Sequence, residues 1–153
     1  MASRSVPRIN HVAMSVPGAL LRERRADLVR FYGEVFGWTP MPDPAQDGSE
    51  LVLRVHSNEQ FVFLIANDEP MRCPTGDHFG VSVGSVEELE QVLARARAFA
   101  ATSREVEVSE RRTDDFQAAK LHAFYVRYLL PMSVEVQYFE WAPGLGPDTV
   151  WEA

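Results

Sequence analysis

His11-Val12-Ala13-Met14-Ser15-Val16 and His78-Phe79-Gly80-Val81-Ser82-Val83 are two versions of one phrase: a histidine, a small residue two places on, then Ser-Val. Both alternate in the way of a strand with one buried face. Each is followed by an amphipathic helical stretch. After the first, Leu28, Phe31, Tyr32, Val35 and Phe36 share one helical face, and Gly37 supplies the stop. After the second, Leu89, Val92, Leu93, Ala96 and Phe99 form a similar stripe. Ser85 and Glu88 stand at its start with the spacing of a capping box.

Three strand-like stretches follow each helix, at about 38–42, 50–56 and 59–66, and again at about 104–110, 119–128 and 132–140. Asn58 and Glu59 mark a hairpin. The order strand, helix, strand, strand, strand occurs twice. The expected fold is therefore α+β: two tandem βαβββ modules, 7–66 and 77–140, forming an open, cup-shaped mixed sheet. Residues 67–76, rich in turn formers, join the modules, and 141–153 is expected to be an irregular tail.

The totals narrow the partners. A net charge of −7 over 153 residues argues against a nucleic-acid surface, which needs a basic stripe. The run Arg22-Glu23-Arg24-Arg25 is too short to reverse that. Cys73 is the only cysteine, so no internal disulfide can form, as suits a reducing compartment. With no apolar leader and no long apolar run, the chain is expected to be cytoplasmic, without a membrane role.

Alternation assigns the faces. Val12, Met14 and Val16 should meet the first helix, leaving His11, Ala13 and Ser15 opposite. Phe79, Val81 and Val83 should meet the second helix, leaving His78, Gly80 and Ser82 opposite. In the last strand Val134, Val136 and Tyr138 turn inward, and Ser133, Glu135 and Gln137 turn away. Three strands thus put His11, His78 and Glu135 on the face without helices. By the same rule Leu51, Leu53 and Val55 meet the helix, while Val52, Arg54 and His56 face the cup. Arg54 could hold an anionic substrate; His56 could carry protons. For both, the competing reading is a solvated sheet edge. His122 shares the parity of Phe124 and Val126, which makes it structural. Phe61, Phe63 and Tyr125 are candidates for an apolar wall, a place that core packing would fill with the same residue types.

Ile9-Asn10-His11-Val12, Phe31-Tyr32-Gly33-Glu34-Val35-Phe36-Gly37-Trp38, Asp77-His78-Phe79-Gly80-Val81 and Val134-Glu135-Val136 together resemble the vicinal oxygen chelate superfamily. That group includes glyoxalase I, methylmalonyl-CoA epimerase, extradiol dioxygenases, and fosfomycin- and bleomycin-resistance proteins. The resemblance runs over about 7–140. It implies metal ligands on the first and last strand of each module, which are His11, His78 and Glu135 here. The place in the first module that corresponds to Glu135 falls near Phe63, which cannot bind a metal. The resemblance therefore implies three ligands rather than the four of glyoxalase I, closer to the fosfomycin-resistance and dioxygenase branches. The family's Asp-Pro-Asp-Gly-Asn turn is replaced by Tyr128-Leu129-Leu130-Pro131-Met132. The dioxygenase signature also wants a histidine where Phe116, Gln117 and Ala118 stand, although Tyr125 fills its tyrosine position. Extradiol cleavage is demoted accordingly.

Two imidazoles and a carboxylate suit Fe(II), Mn(II), Ni(II) or Zn(II), with positions left open for a substrate bound through two neighbouring oxygens. The expectation is a metal-dependent lyase, isomerase, transferase or dioxygenase acting on a small molecule. His56 or Tyr125 would carry the proton, Arg54, Phe61 and Phe63 would bind substrate, and the chain would pair as a homodimer. The alternative is a metal-free protein that sequesters a small molecule, resembling the bleomycin-resistance members.

Overall fold

In the computed structural model, which describes residues 7–43 and 45–150, the chain divides after Arg72 into two compact units. The first contains β1 (His11–Val16), α1 (Gly18–Glu23), α2 (Arg25–Phe36), β2 (Thr39–Pro40), β3 (Glu50–Arg54) and β4 (Phe61–Ala66). The second contains β5 (His78–Ser82), α3 (Val86–Ala100), β6 (Val106–Val108), β7 (Arg112–Asp115), β8 (Ala119–Tyr128) and β9 (Ser133–Trp141). The sheets run β1-β4-β3-β2 and β5-β9-β8-β6. In each, the first strand lies parallel to the last and the remaining pairs are antiparallel. The repeat expected from the two histidine strands is thus present as two βαβββ modules, each a mixed sheet.

Burial follows the expected alternation for most strand residues, but Val52, Leu121 and Ala123 are buried on the other parity. Met14, Val16, Leu51, Leu53, Val62 and Leu64 are buried on one parity of the first sheet, with Leu28, Phe31, Tyr32 and Val35 of α2. Val134, Val136, Phe124 and Val126 are buried in the second, with Leu89, Val92, Leu93 and Ala96 of α3. Full burial of each such aliphatic side chain contributes roughly 1.5–3 kcal/mol. Tyr32 stacks on Trp38 at 5.1 Å between ring centroids, which ties the end of α2 to the residue after it. Gly37 makes that turn possible. Its φ of 75° lies in the left-handed region, and its N–H reaches the Gly33 carbonyl at 2.9 Å.

The caps and edges differ in detail from the sequence reading. Ser85 accepts from the Glu88 N–H at 3.1 Å, as a capping box requires, but Glu88 answers the Gly84 N–H at 2.7 Å rather than that of Ser85. A short helix, α1, precedes α2; Leu21 is its buried anchor. The basic run is structural: Arg24 pairs with Asp27, and Arg25 donates to the Gly48 and Glu50 carbonyls, holding the loop that leads into β3. The stretch expected as one strand at 104–110 is shorter, and a further strand, β7, follows it. Both pair along one edge of β8, β6 against 126–128 and β7 against 120–123. β3 ends at Arg54, short of the expected 56. β9 continues to Trp141, which pairs with Ala119. Among the described residues no helix is long and apolar enough to cross a membrane.

Candidate functional site

The second unit gathers a polar cluster on the sheet face that its helix does not cover. Gly80 of β5 lies beside Glu135 of β9, and Glu135 beside Tyr125 of β8. Glu135 is 4% exposed, a carboxylate taken almost wholly out of water. Such a group is costly unless compensated. His78 Nε2 stands 3.3 Å from its Oε2, Gln137 donates to Oε2 at 2.6 Å, and Arg112 Nη2 reaches Oε1 at 3.3 Å. Arg112 also donates to the Tyr125 hydroxyl at 2.9 Å, and its guanidinium lies 5.1 Å from the centroid of that ring. His78 meets Tyr125 edge-on, with centroids 5.1 Å apart. A hollow of about 260 Å³, lined in part by Ser109, Tyr125, Arg127 and Ser133, adjoins the cluster.

Hydrogen bonding sets the direction of His78. Its Nδ1 lies 2.7 Å from the Gly76 carbonyl, which can only accept, so the ring proton sits on Nδ1. Nε2 is then the nitrogen turned toward the Glu135 carboxyl group. An imidazole nitrogen and a carboxyl oxygen at this separation can share a proton or hold a metal ion between them. An imidazole whose second nitrogen is fixed by a carbonyl is the usual arrangement of a metal-binding histidine.

Burial in this face, then the neighbouring Glu135, pushes the Tyr125 phenol above its ordinary pKa; Arg112 pulls weakly the other way. At neutral pH Tyr125 is therefore a hydrogen-bond donor.

The first unit repeats the frame with different side chains. His11 is exposed on β1; its Nδ1 is 2.8 Å from the Asn10 amide oxygen, so its Nε2 is likewise the free nitrogen. His11 stacks on Phe61, with centroids 5.0 Å apart and planes 11° from parallel. Ala13 pairs with Phe63 as Gly80 pairs with Glu135, so the ladder register gives Phe63 the place of Glu135. Phe61 and Phe63 are half-buried and Arg54 is exposed, all on the helix-free parity. His56 does not follow the expected alternation, because β3 has already ended. It lies in the loop before β4 and lines a cleft of about 730 Å³ with Pro7, Arg8, Asn10 and Gln60. His122, expected to be structural, is buried among Arg111, Thr113 and Glu140.

Arg112 was not legible beforehand. The polar stretch Arg112–Asp115 carries no alternation of its own, and only pairing with β8 makes it a strand. Among the described residues, no three His, Cys, Asp or Glu side chains gather into a set that could hold a metal ion.

The sequence matches no family model and no curated protein. Its fold does have close counterparts among solved structures. A possible glyoxalase from Bacillus cereus is 19% identical, covering 87% of this chain and 100% of the other, with a TM-score of 0.59. A mutant of the fosfomycin resistance protein FosX from Listeria monocytogenes, complexed with Mn(II) and 1S,2S-dihydroxypropylphosphonic acid, is 15% identical over 91% and 95%, with a TM-score of 0.62. The fold is that of the vicinal oxygen chelate proteins. A glyoxalase/bleomycin resistance protein from Albidiferax ferrireducens, 16% identical over 84% and 97% with a TM-score of 0.58, shares it. At these identities the likeness concerns the fold, which vicinal oxygen chelate proteins use for binding and for several reactions.

Proposed function

We propose that this chain is a metal-dependent enzyme of the vicinal oxygen chelate type, acting on a small molecule that presents two neighbouring oxygens. The observation that carries the reading is the His78–Glu135 pair, in which the imidazole Nε2 and a buried carboxyl oxygen face each other at 3.3 Å. The donor set suits Fe(II), Mn(II), Ni(II) or Zn(II). His11, which occupies the matching place on β1 with its Nε2 free, would be the third ligand. We propose that it comes from a second copy of the chain in a homodimer, with its Nε2 free to bind. A bound divalent ion would stabilise negative charge developing on the substrate oxygens.

The protein's own groups supply the rest. Tyr125, held protonated, donates a hydrogen bond to an oxygen of the substrate beside Glu135 and can pass it a proton. Gln137 and Arg112 orient the Glu135 carboxylate. The half-buried rings of Phe61 and Phe63 offer apolar surface. His56 lies in the loop before β4, and we place it second to Tyr125 as a proton carrier. The FosX complex is a precedent on the same fold, because that protein was solved with Mn(II) and a vicinal diol phosphonate.

One contact favours the alternative, a metal-free binding protein. Arg112 already sets a positive charge 3.3 Å from Glu135, which lessens the need for a metal there.

Metal content of the untagged protein separates the readings. Wild type should hold about one divalent ion per subunit, and His78→Ala should lose it. His11→Ala and Glu135→Ala should each be metal-poor alone and regain metal when unfolded and refolded together, because a mixed dimer rebuilds one intact site. If wild type takes up no divalent ion and His78→Ala binds ligands as wild type does, the enzyme reading fails and sequestration replaces it.

A further inference from the structure

The ladder registers allow the two modules to be compared row by row. In the second, His78 pairs with Ser133, the next rung sets Ser133 beside Arg127, and Arg127 pairs with Glu107. In the first, the same row reads His11, Phe61, Arg54, Thr39. Arg127 and Arg54 are therefore the same position of the module. Their surroundings differ in one respect that bears on chemistry. Arg127 is clamped by both carboxylate oxygens of Glu107, each at 2.8 Å. Arg54 has Thr39 in that place, is exposed, and has no ion pair among the described residues. A guanidinium is a bidentate fork matched to carboxylate and phosphoryl oxygens. Here it stands open, in a chain of net charge −7, on the face that carries His11 and the flat ring of Phe61.

We infer that the ligand is an anion, and that Arg54 anchors its carboxylate, phosphonate or phosphate group. The inference deepens the proposed function by naming the substrate class, and it rests on that reading for where the reaction occurs. His11 and Arg54 are two strand spacings apart, about 10 Å between backbones. Both side chains rise from the same face, with Phe61 between them. The ligand is accordingly short. Its oxygens lie toward His11, its anionic group meets Arg54, and a flat or apolar portion lies over Phe61. Thr39 is what leaves Arg54 open, because an acid there would satisfy it as Glu107 satisfies Arg127.

The test uses simple probes, with no metal added: benzoate, phenylphosphonate and the neutral benzamide, titrated by NMR against the full-length protein. The variants are Arg54→Gln and Thr39→Glu, the second of which keeps the arginine and gives it an internal partner. Wild type should bind at least one of the two anions about tenfold or more tightly than benzamide, the size of effect one charge-assisted bidentate contact produces. The tighter anion identifies the group Arg54 takes. Both variants should lose that preference while metal content stays as in wild type. Equal binding of the three probes by wild type overturns the inference, as does an anion preference that survives in either variant. Failure of the metal reading would show as absent metal in wild type and leave the probe titration unaffected, so the two can fail separately.

Discussion

Replacing His122 by Phe removes one imidazole from the junction of β7, β8 and β9 while keeping a ring to stack on Tyr138, which lies 5.9 Å away with planes 20° apart. Three contacts are lost. His122 Nε2 donates to Glu140 at 2.9 Å, while Arg111 Nη2 and the Thr113 hydroxyl each approach Nδ1 at 2.9 Å. Glu140 and Thr113 are exposed, so water replaces the imidazole at little cost. Arg111 is different. Its side chain is only 32% exposed, its Nε is already buried without a partner, and its remaining anchor is Glu90 of α3 at 2.6 Å. Losing one hydrogen bond on a charged, part-buried donor costs about 1.5–3 kcal/mol. The expected destabilisation is therefore about 2 kcal/mol, or a fall of roughly 4–8 °C in melting temperature for a domain this size. Urea unfolding should show a lower midpoint at unchanged slope. A loss below about 0.5 kcal/mol would refute the reasoning and mean that water serves Arg111 as well as the imidazole does.

Three further outcomes follow from contacts already described. The hydrogen bond from His122 holds the Glu140 carboxyl below its usual 4.5, so the stability it gives is present above that value and lost as the pH falls through the lower folded one; Glu140→Gln should flatten the acid limb of a stability–pH profile. The Tyr125 phenol is raised from 10.0, so its contribution is complete below pH 10.0 and lost as the pH climbs through the higher folded value; ultraviolet titration of Tyr125→Phe should lack one late-titrating phenol. Gly37→Ala would meet no atom within 4 Å, so its cost is purely that of a left-handed φ, about 1 kcal/mol by chemical denaturation, and Gly37→Asn should recover part of it.

What the sequence disclosed and what it hid follow from how each element is specified. The histidine strands, the stripe from Leu28 to Phe36 and the stop at Gly37 carry their own periodicity, so strand, helix and repeat were legible from local pattern. The face of His11, His78 and Glu135 followed from the same alternation. β7 was hidden because Arg112-Thr113-Asp114-Asp115 is polar throughout; β8 alone makes it a strand, and with it Arg112 escaped notice. α1 has only Leu21 buried, too little for a stripe to show. His56 was misplaced because alternation holds only as far as the strand does, and β3 stops two residues before it. Of the partners that compensate Glu135, Gln137 shares its strand and face and His78 was placed on that face, whereas Arg112 reaches it from β7 through register that composition does not reveal.

The ladder that puts Phe63 where the other module has Glu135 gives this chain an internal control. The two positions share a place in the module, one strand removed from the residue two past each histidine, but one is a ring and the other an acid. Behaviour common to both, such as the parallel pairing of each histidine strand with the last strand of its sheet, belongs to the module itself. Behaviour confined to one belongs to the substitution. An experimenter can thus compare a charged and a blank version of the same backbone in a single molecule, under the same solvent and temperature, without making a mutant.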